Sequence, residues 1–137
     1  METLTVNKDI KVFCVKAKSF PEGVMDAHKS LNPLVPFSEN RNFFGISRPE
    51  GKSGIIYQAA VEEAYPAEAE KHKCPTLVLK KGKYLSITVA DFKKDTESIS
   101  NAFRDLLAEE GLDPQGYCVE WYMNDQVSVK CMIRLKD

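Results

Sequence analysis

Strand-like runs recur along this chain, and two stretches whose apolar residues return every three or four positions interrupt them. Residues 9–17 form the first strand-like run, closed by Ser19-Phe20-Pro21-Glu22. That tetrapeptide matches a capping box: Ser19 is the N-cap, Glu22 follows three residues on, and Pro21 sits in the first turn, where its missing N–H does no harm. The helix this predicts places Phe20, Val24, Ala27 and Leu31 on one stripe, and Asn32-Pro33 ends it. Residues 42–47 and 55–61 then read as a hairpin across the Gly- and Pro-bearing residues 48–54. A short helix is expected over residues 66–73, on propensity more than on its poor apolar stripe.

The order then repeats. Residues 76–79 and 83–89 are strand-like, separated by Lys80-Lys81-Gly82. Asp95 is the expected N-cap of a helix with the stripe Ile99, Ala102, Phe103, Leu106 and Leu107. Gly111 stands where a left-handed C-cap would go, and Pro114 stops any continuation. A final hairpin is expected to pair residues 117–123 with 127–135 across Asn124-Asp125-Gln126. Strand, helix and hairpin, twice over, predict an α+β fold of duplicated β-α-β-β units, with antiparallel sheets and helices on one face. The halves share the pattern and not the residues.

Side chains alternate between the faces of a strand, so each run divides into two sets. Val127, Val129, Cys131, Ile133 and Leu135 share one face, as do Leu85, Ile87 and Val89; these are aliphatic enough to lie under a helix. Tyr84, Ser86 and Thr88 face the other way, as do Ser128, Lys130, Met132 and Arg134. In the aromatic run 117–123, Cys118, Glu120 and Tyr122 oppose Tyr117, Val119, Trp121 and Met123. Glu120 and Tyr122 group by chemistry with Tyr84 on a second face that is polar and rich in rings. If that face curls into a cleft, it has the usual make-up of a small-molecule site. A carboxylate among rings is costly to bury unpaired, so Glu120 must meet water, a donor, a proton or an external cation. By parity Trp121 reads as core, Met25 as core filler and His28 as a solvated helix residue; Met132 could line the cleft or fill a gap.

Composition adds limits more than content. Of 137 residues, 43% are hydrophobic and 28% charged, as in globular proteins that fold without disulfides or metals. A net charge of -1 and a pI near 6.1 argue against a dedicated nucleic-acid binder. The lysines at 71, 73, 80, 81, 83, 93 and 94 are interleaved with Glu68, Glu70, Asp91 and Asp95, and read as solvated surface. No apolar run approaches the roughly 20 residues of a membrane span, and the N-terminus lacks the pattern of a signal peptide. Cys14, Cys74, Cys118 and Cys131 are scattered, with no Cys-x-x-Cys pair, so a reduced, cytoplasmic protein is expected. His72 lies near Cys74 with nothing to complete a tetrahedral set; no metal and no cofactor are expected.

Taken together, these features resemble the GyrI-like family, the effector-binding domain of AraC- and MerR-type multidrug regulators. The resemblance spans residues 11–135, nearly the whole chain, and so reads residues 1–137 as one such domain. It rests on the two strand-helix-hairpin halves, on Asn42-Phe43-Phe44-Gly45-Ile46, on Leu79-Lys80-Lys81-Gly82-Lys83-Tyr84, and on Glu120 followed by Tyr122. It implies pseudo-twofold symmetry and a pocket between the halves, holding bulky lipophilic cations. Carried over, Glu120 would be the counter-charge and Tyr122 and Tyr84 its aromatic neighbours, with Tyr57 and Phe92 placed by position alone. No room is left for a helix-turn-helix before Asp9 or after Leu135, so direct DNA binding is not expected. Stand-alone members of the family include a gyrase-inhibiting protein and hydrolases of strained cyclopropane rings. The resemblance therefore leaves open a hydrolase with Glu120 as general base, and a module partnering a regulator or gyrase.

Overall fold

β-branched and aromatic residues concentrate in the strand-like runs and leave the two amphipathic stretches to form the longer helices. The computed structural model describes residues 1–50, 54–95 and 97–137. In chain order these form β1 (Glu2–Val6), β2 (Ile10–Lys16), α1 (Val24–Leu31), β3 (Phe43–Glu50), β4 (Gly54–Glu62) and α2 (Glu68–Lys71). There follow β5 (Thr76–Leu79), β6 (Gly82–Val89), a 3-10 turn (Phe92–Lys94), α3 (Ser98–Leu107), β7 (Cys118–Tyr122) and β8 (Val129–Arg134). The fold is α+β, and the strand pairs within each unit below are antiparallel.

The chain divides into two units. A central unit, Asp9–Leu79, has the strand order β3-β4-β2-β5. Its core joins Phe13, Val61, Ala59 and Tyr57 to Ala27 and Leu31 of α1, which packs over β4 and β2. On the opposite face of the same strands, Val12, Cys14, Phe44, Ile46 and Ala60 are buried as well. A terminal unit, Met1–Lys8 with Lys80–Asp137, has the order β1-β6-β8-β7. Here Ala102 and Leu106 of α3 pack over β6 and β8 onto Val129, Cys131 and Ile133. The aliphatic set is therefore the helix-covered face, as its alternation predicts.

Several local expectations change. The pattern along the chain predicts no strand at Glu2–Val6, yet β1 forms there and pairs with β6. The capping box at Ser19 does not form: the N–H of Gly23 bonds the carbonyl of Ser19, Gly23 is the N-cap, and α1 starts at Val24. Asp95 is not the N-cap of α3: Glu97 holds that position, and the Asp95 carboxylate accepts from its N–H. The helix expected over residues 66–73 shortens to Glu68–Lys71. β3 and β4 extend into the expected loop 48–54, pairing Arg48 with Ile56, and the rest of that loop, residues 51–53, lies outside the described residues. Met25 is 66% exposed and fills no core.

The last hairpin carries the change with most consequence. A turn made only of Asn124, Asp125 and Gln126 would set Met123 against Val127, and hence Glu120 against Lys130. Instead Tyr122 pairs with Val129 and Glu120 with Cys131. Asp125 shapes the wider loop: its Oδ1 accepts from the N–H groups of Val127 and Ser128, and its Oδ2 from the hydroxyl of Ser128. A one-residue slip exchanges the faces of a strand. Cys118, Glu120 and Tyr122 accordingly lie on the α3 side of the terminal unit's sheet.

Candidate functional site

Within the terminal unit, β7 lies beside β8 and flanks the two strands that α3 covers. Its helix-side residues meet the lip of the α3 core. There the hydroxyl of Tyr122 donates to Oε1 of Glu120 at 2.6 Å. Two positions apart on one strand, both side chains project the same way, which makes so short a contact possible. Glu120 is 9% exposed, so its charge is largely desolvated and a charge-assisted donor matters to it. The ring of Phe92, on the turn leading into α3, lies 5.8 Å from that of Tyr122, the planes tilted by 52°.

Glu120 leaves an electrostatic mark on its neighbours. Burial pushes the Cys118 thiol up to about 11, and the negative charge of Glu120 adds to the rise. Burial likewise pushes Cys131 up to about 12, with Glu120 and then Cys118 contributing. Both thiols are neutral at pH 7, so neither offers a thiolate nucleophile. All four cysteines are free. Among the described residues no cluster of three or more His, Cys, Asp and Glu side chains could hold a metal, and no helix is long and apolar enough to cross a membrane.

Of the four expected site residues that belong to the terminal unit, the structure brings three together: Glu120, Tyr122 and Phe92. Tyr84 pairs with Arg134, so it lies on the sheet face away from α3 and from Glu120. It is buried, and its hydroxyl donates to the carbonyl of Lys80 at 2.6 Å. The grouping of Tyr84 with Glu120 joins rings of similar chemistry across a register that the loop reverses. Tyr57 belongs to the central unit, where its hydroxyl and Nε2 of His28 share a hydrogen bond of 2.8 Å. His28 is thus a packed partner and no solvated helix residue; burial pushes its imidazole down to about 4. Trp121 does face away from Glu120, half-buried, with Nζ of Lys130 5.8 Å from its ring centre.

No protein-family model matches the chain, and no curated protein matches it in sequence. Among the solved structures that share its fold are two that cover nearly all of this chain. One is an integron cassette protein, VCH_CASS2, from the mobile metagenome of Vibrio cholerae. It has a TM-score of 0.72 and 11% identity, over 98% of this chain and 95% of that one. The other is SAV2435 bound to tetraphenylphosphonium, with a TM-score of 0.65 and 11% identity over 98% and 93%. At such identity the likeness is one of fold alone. That fold is one on which another protein binds a lipophilic cation.

Proposed function

We propose that this protein binds a lipophilic cationic small molecule, with Glu120 as the counter-charge and Tyr122 and Phe92 as ring neighbours. The observation that carries this reading is the largely buried carboxylate of Glu120, held at 2.6 Å by Tyr122 beside a second ring. A cation gains more from a carboxylate in such a setting than in water, and a ring face within about 6 Å adds roughly 0.5–2 kcal/mol. The fold shared with SAV2435, itself bound to tetraphenylphosphonium, supports the same ligand class. So does the resemblance to the effector domains of multidrug regulators. We also read the two units as copies of one β-α-β-β repeat. Each runs strand, helix, hairpin, and orders those strands alike: β3-β4-β2 in one and β7-β8-β6 in the other.

The test is calorimetric titration with tetraphenylphosphonium and with triphenylphosphine oxide, an uncharged compound of similar shape. Glu120→Gln keeps the shape of the side chain and removes its charge. It should weaken the cation by about 1–3 kcal/mol, the scale of a lost charged partner, and leave the neutral compound nearly unchanged. Equal losses for both would make Glu120 structural. Failure of the unaltered protein to bind the cation would end the reading.

A further inference from the structure

The central unit carries a cluster that repeats the chemistry of the Glu120 site with a different polar member. Phe20 lies in the connection from β2 to α1, and its ring stacks on Tyr57 at 5.9 Å with the planes 29° apart. Phe92 occupies the corresponding connection from β6 to α3 and contacts Tyr122 at 5.8 Å. Each tyrosine lies on the helix side of its own sheet. The hydroxyl of each bonds a titratable side chain: Glu120 in the terminal unit, His28 in the central one. The His28 ring also meets Tyr57 edge-on, 5.8 Å between centres.

We infer that Phe20, Tyr57 and His28 form a second ligand site, one that takes an uncharged aryl ring. Phe20 is 40% exposed although it is fixed against a buried tyrosine, so it presents an apolar ring surface to solvent at a defined angle. An incoming aryl ring can stack there, and aromatic pairs contribute beyond the area they bury. The polar pair beneath is a phenol and an imidazole. With His28 held down to about 4 by burial, that pair is neutral at pH 7. A neutral phenol–imidazole pair is itself no counter-charge for a cation, in contrast to the carboxylate of Glu120. The inference does not depend on the proposed role of Glu120.

The experiment follows the tyrosine and histidine ring signals of the whole chain by NMR during titration with triphenylphosphine oxide. Saturable shifts of the Tyr57 and His28 signals are expected. Phe20→Ala removes a partly exposed side chain and should weaken that binding about three- to tenfold, the range expected for one aromatic contact. Phe20→Leu, which keeps apolar bulk without the ring, should lose nearly as much. Glu120→Gln should leave these shifts unchanged. The inference is overturned if Tyr57 and His28 do not respond, if Phe20→Ala binds as tightly as the unaltered protein, or if Phe20→Leu retains full affinity. The last result would make Phe20 a simple cover for the pair beneath. Cation binding that fails in Glu120→Gln, with no response of Tyr57 and His28 to triphenylphosphine oxide, would leave the Glu120 reading standing while this one falls.

Discussion

Glu120 stands directly across from Cys131, while Lys130 faces Trp121 on the other side of the same sheet. That register is what turns Glu120 toward the α3 side, and the loop around Asp125 sets it. The carboxyl of Asp125 is held below the usual carboxylate range, first by the N–H of Val127 and then by the N–H and hydroxyl of Ser128. Asp125→Ala should therefore lower the melting temperature and speed amide exchange at Val127 and Ser128. Because the folded-state pKa is depressed, the aspartate's contribution is complete above its unfolded value and lost as pH falls. Unchanged exchange in the variant would mean that something other than Asp125 fixes the register.

The buried thiols supply a prediction at the alkaline end. Burial raises Cys14 and Cys131 to about 12 and Cys118 to about 11, from an ordinary value of 9.0. A raised folded-state pKa means that stability is full below the unfolded value and falls as pH climbs beyond it. The loss should reach about 1.4 kcal/mol per pH unit for each thiol. Urea titrations of the protein and of a Cys14→Ala, Cys118→Ala, Cys131→Ala triple variant, between pH 8 and 10, would separate thiol ionisation from other alkaline effects. The triple variant should show the flatter profile. Parallel profiles would contradict the burial argument.

Much of this architecture was legible in the chain. The amphipathic stretches ending in Leu31 and Leu107 had to be helices, and the alternation from Val129 to Ile133 identified the face beneath α3. Alternation fixes which residues share a face within a strand, but it does not say which face of a neighbour they join. That information sits in loop geometry, and three hydrogen bonds to Asp125 decided it against the shorter turn. Tyr84 was misplaced for this reason. His28 was missed for another: a polar residue on a short helix gives no sign that a distant tyrosine will bond it. A tyrosine mid-strand among Ile55, Ile56, Ala59 and Ala60 was the available hint, since a buried hydroxyl needs a partner.

Glu68 should govern the acid limb of stability. It is 3% exposed, and both its oxygens accept from Arg41, Oε1 at 2.6 Å and Oε2 at 2.8 Å. The bonds from Arg41, supported by the N–H of Ala64, hold its carboxyl below the usual value. Its contribution is therefore present above about pH 4.5 and disappears as pH falls. Glu68→Gln leaves Arg41 without its counter-charge and should cost about 3 kcal/mol at pH 7. The difference between variant and parent should shrink toward pH 3 in urea titrations. A pH-independent difference would point to packing.

Gly82 and Arg134 hold the chain at the entry to β6. Arg134 donates to the carbonyl of Lys81 through Nε at 3.0 Å and Nη2 at 2.8 Å. Gly82 has φ +136, and a Cβ there would lie 2.8 Å from that same Nη2. Gly82→Ala thus combines backbone strain with displacement of the guanidinium, at an expected cost of about 1–3 kcal/mol. Lys80 and Lys81 are adjacent trypsin sites, so limited proteolysis should cut the variant there sooner than the parent. Equal cleavage rates would show that the entry to β6 does not depend on Gly82.

Tyr122→Phe isolates the hydroxyl from the ring. The variant keeps the contact with Phe92 but removes the donor to Glu120. Losing a hydrogen bond to a buried charge should lower stability by about 1.5–3 kcal/mol without ligand. A bound cation offers the carboxylate a replacement for what the phenol supplied. If Glu120 is the counter-charge, saturating tetraphenylphosphonium should narrow the gap in melting temperature between variant and parent. The same excess of triphenylphosphine oxide should leave it open, since a neutral compound brings no charge to Glu120. A gap that persists with the cation would mean that Tyr122 serves the fold of the terminal unit, and that Glu120 does not meet the ligand.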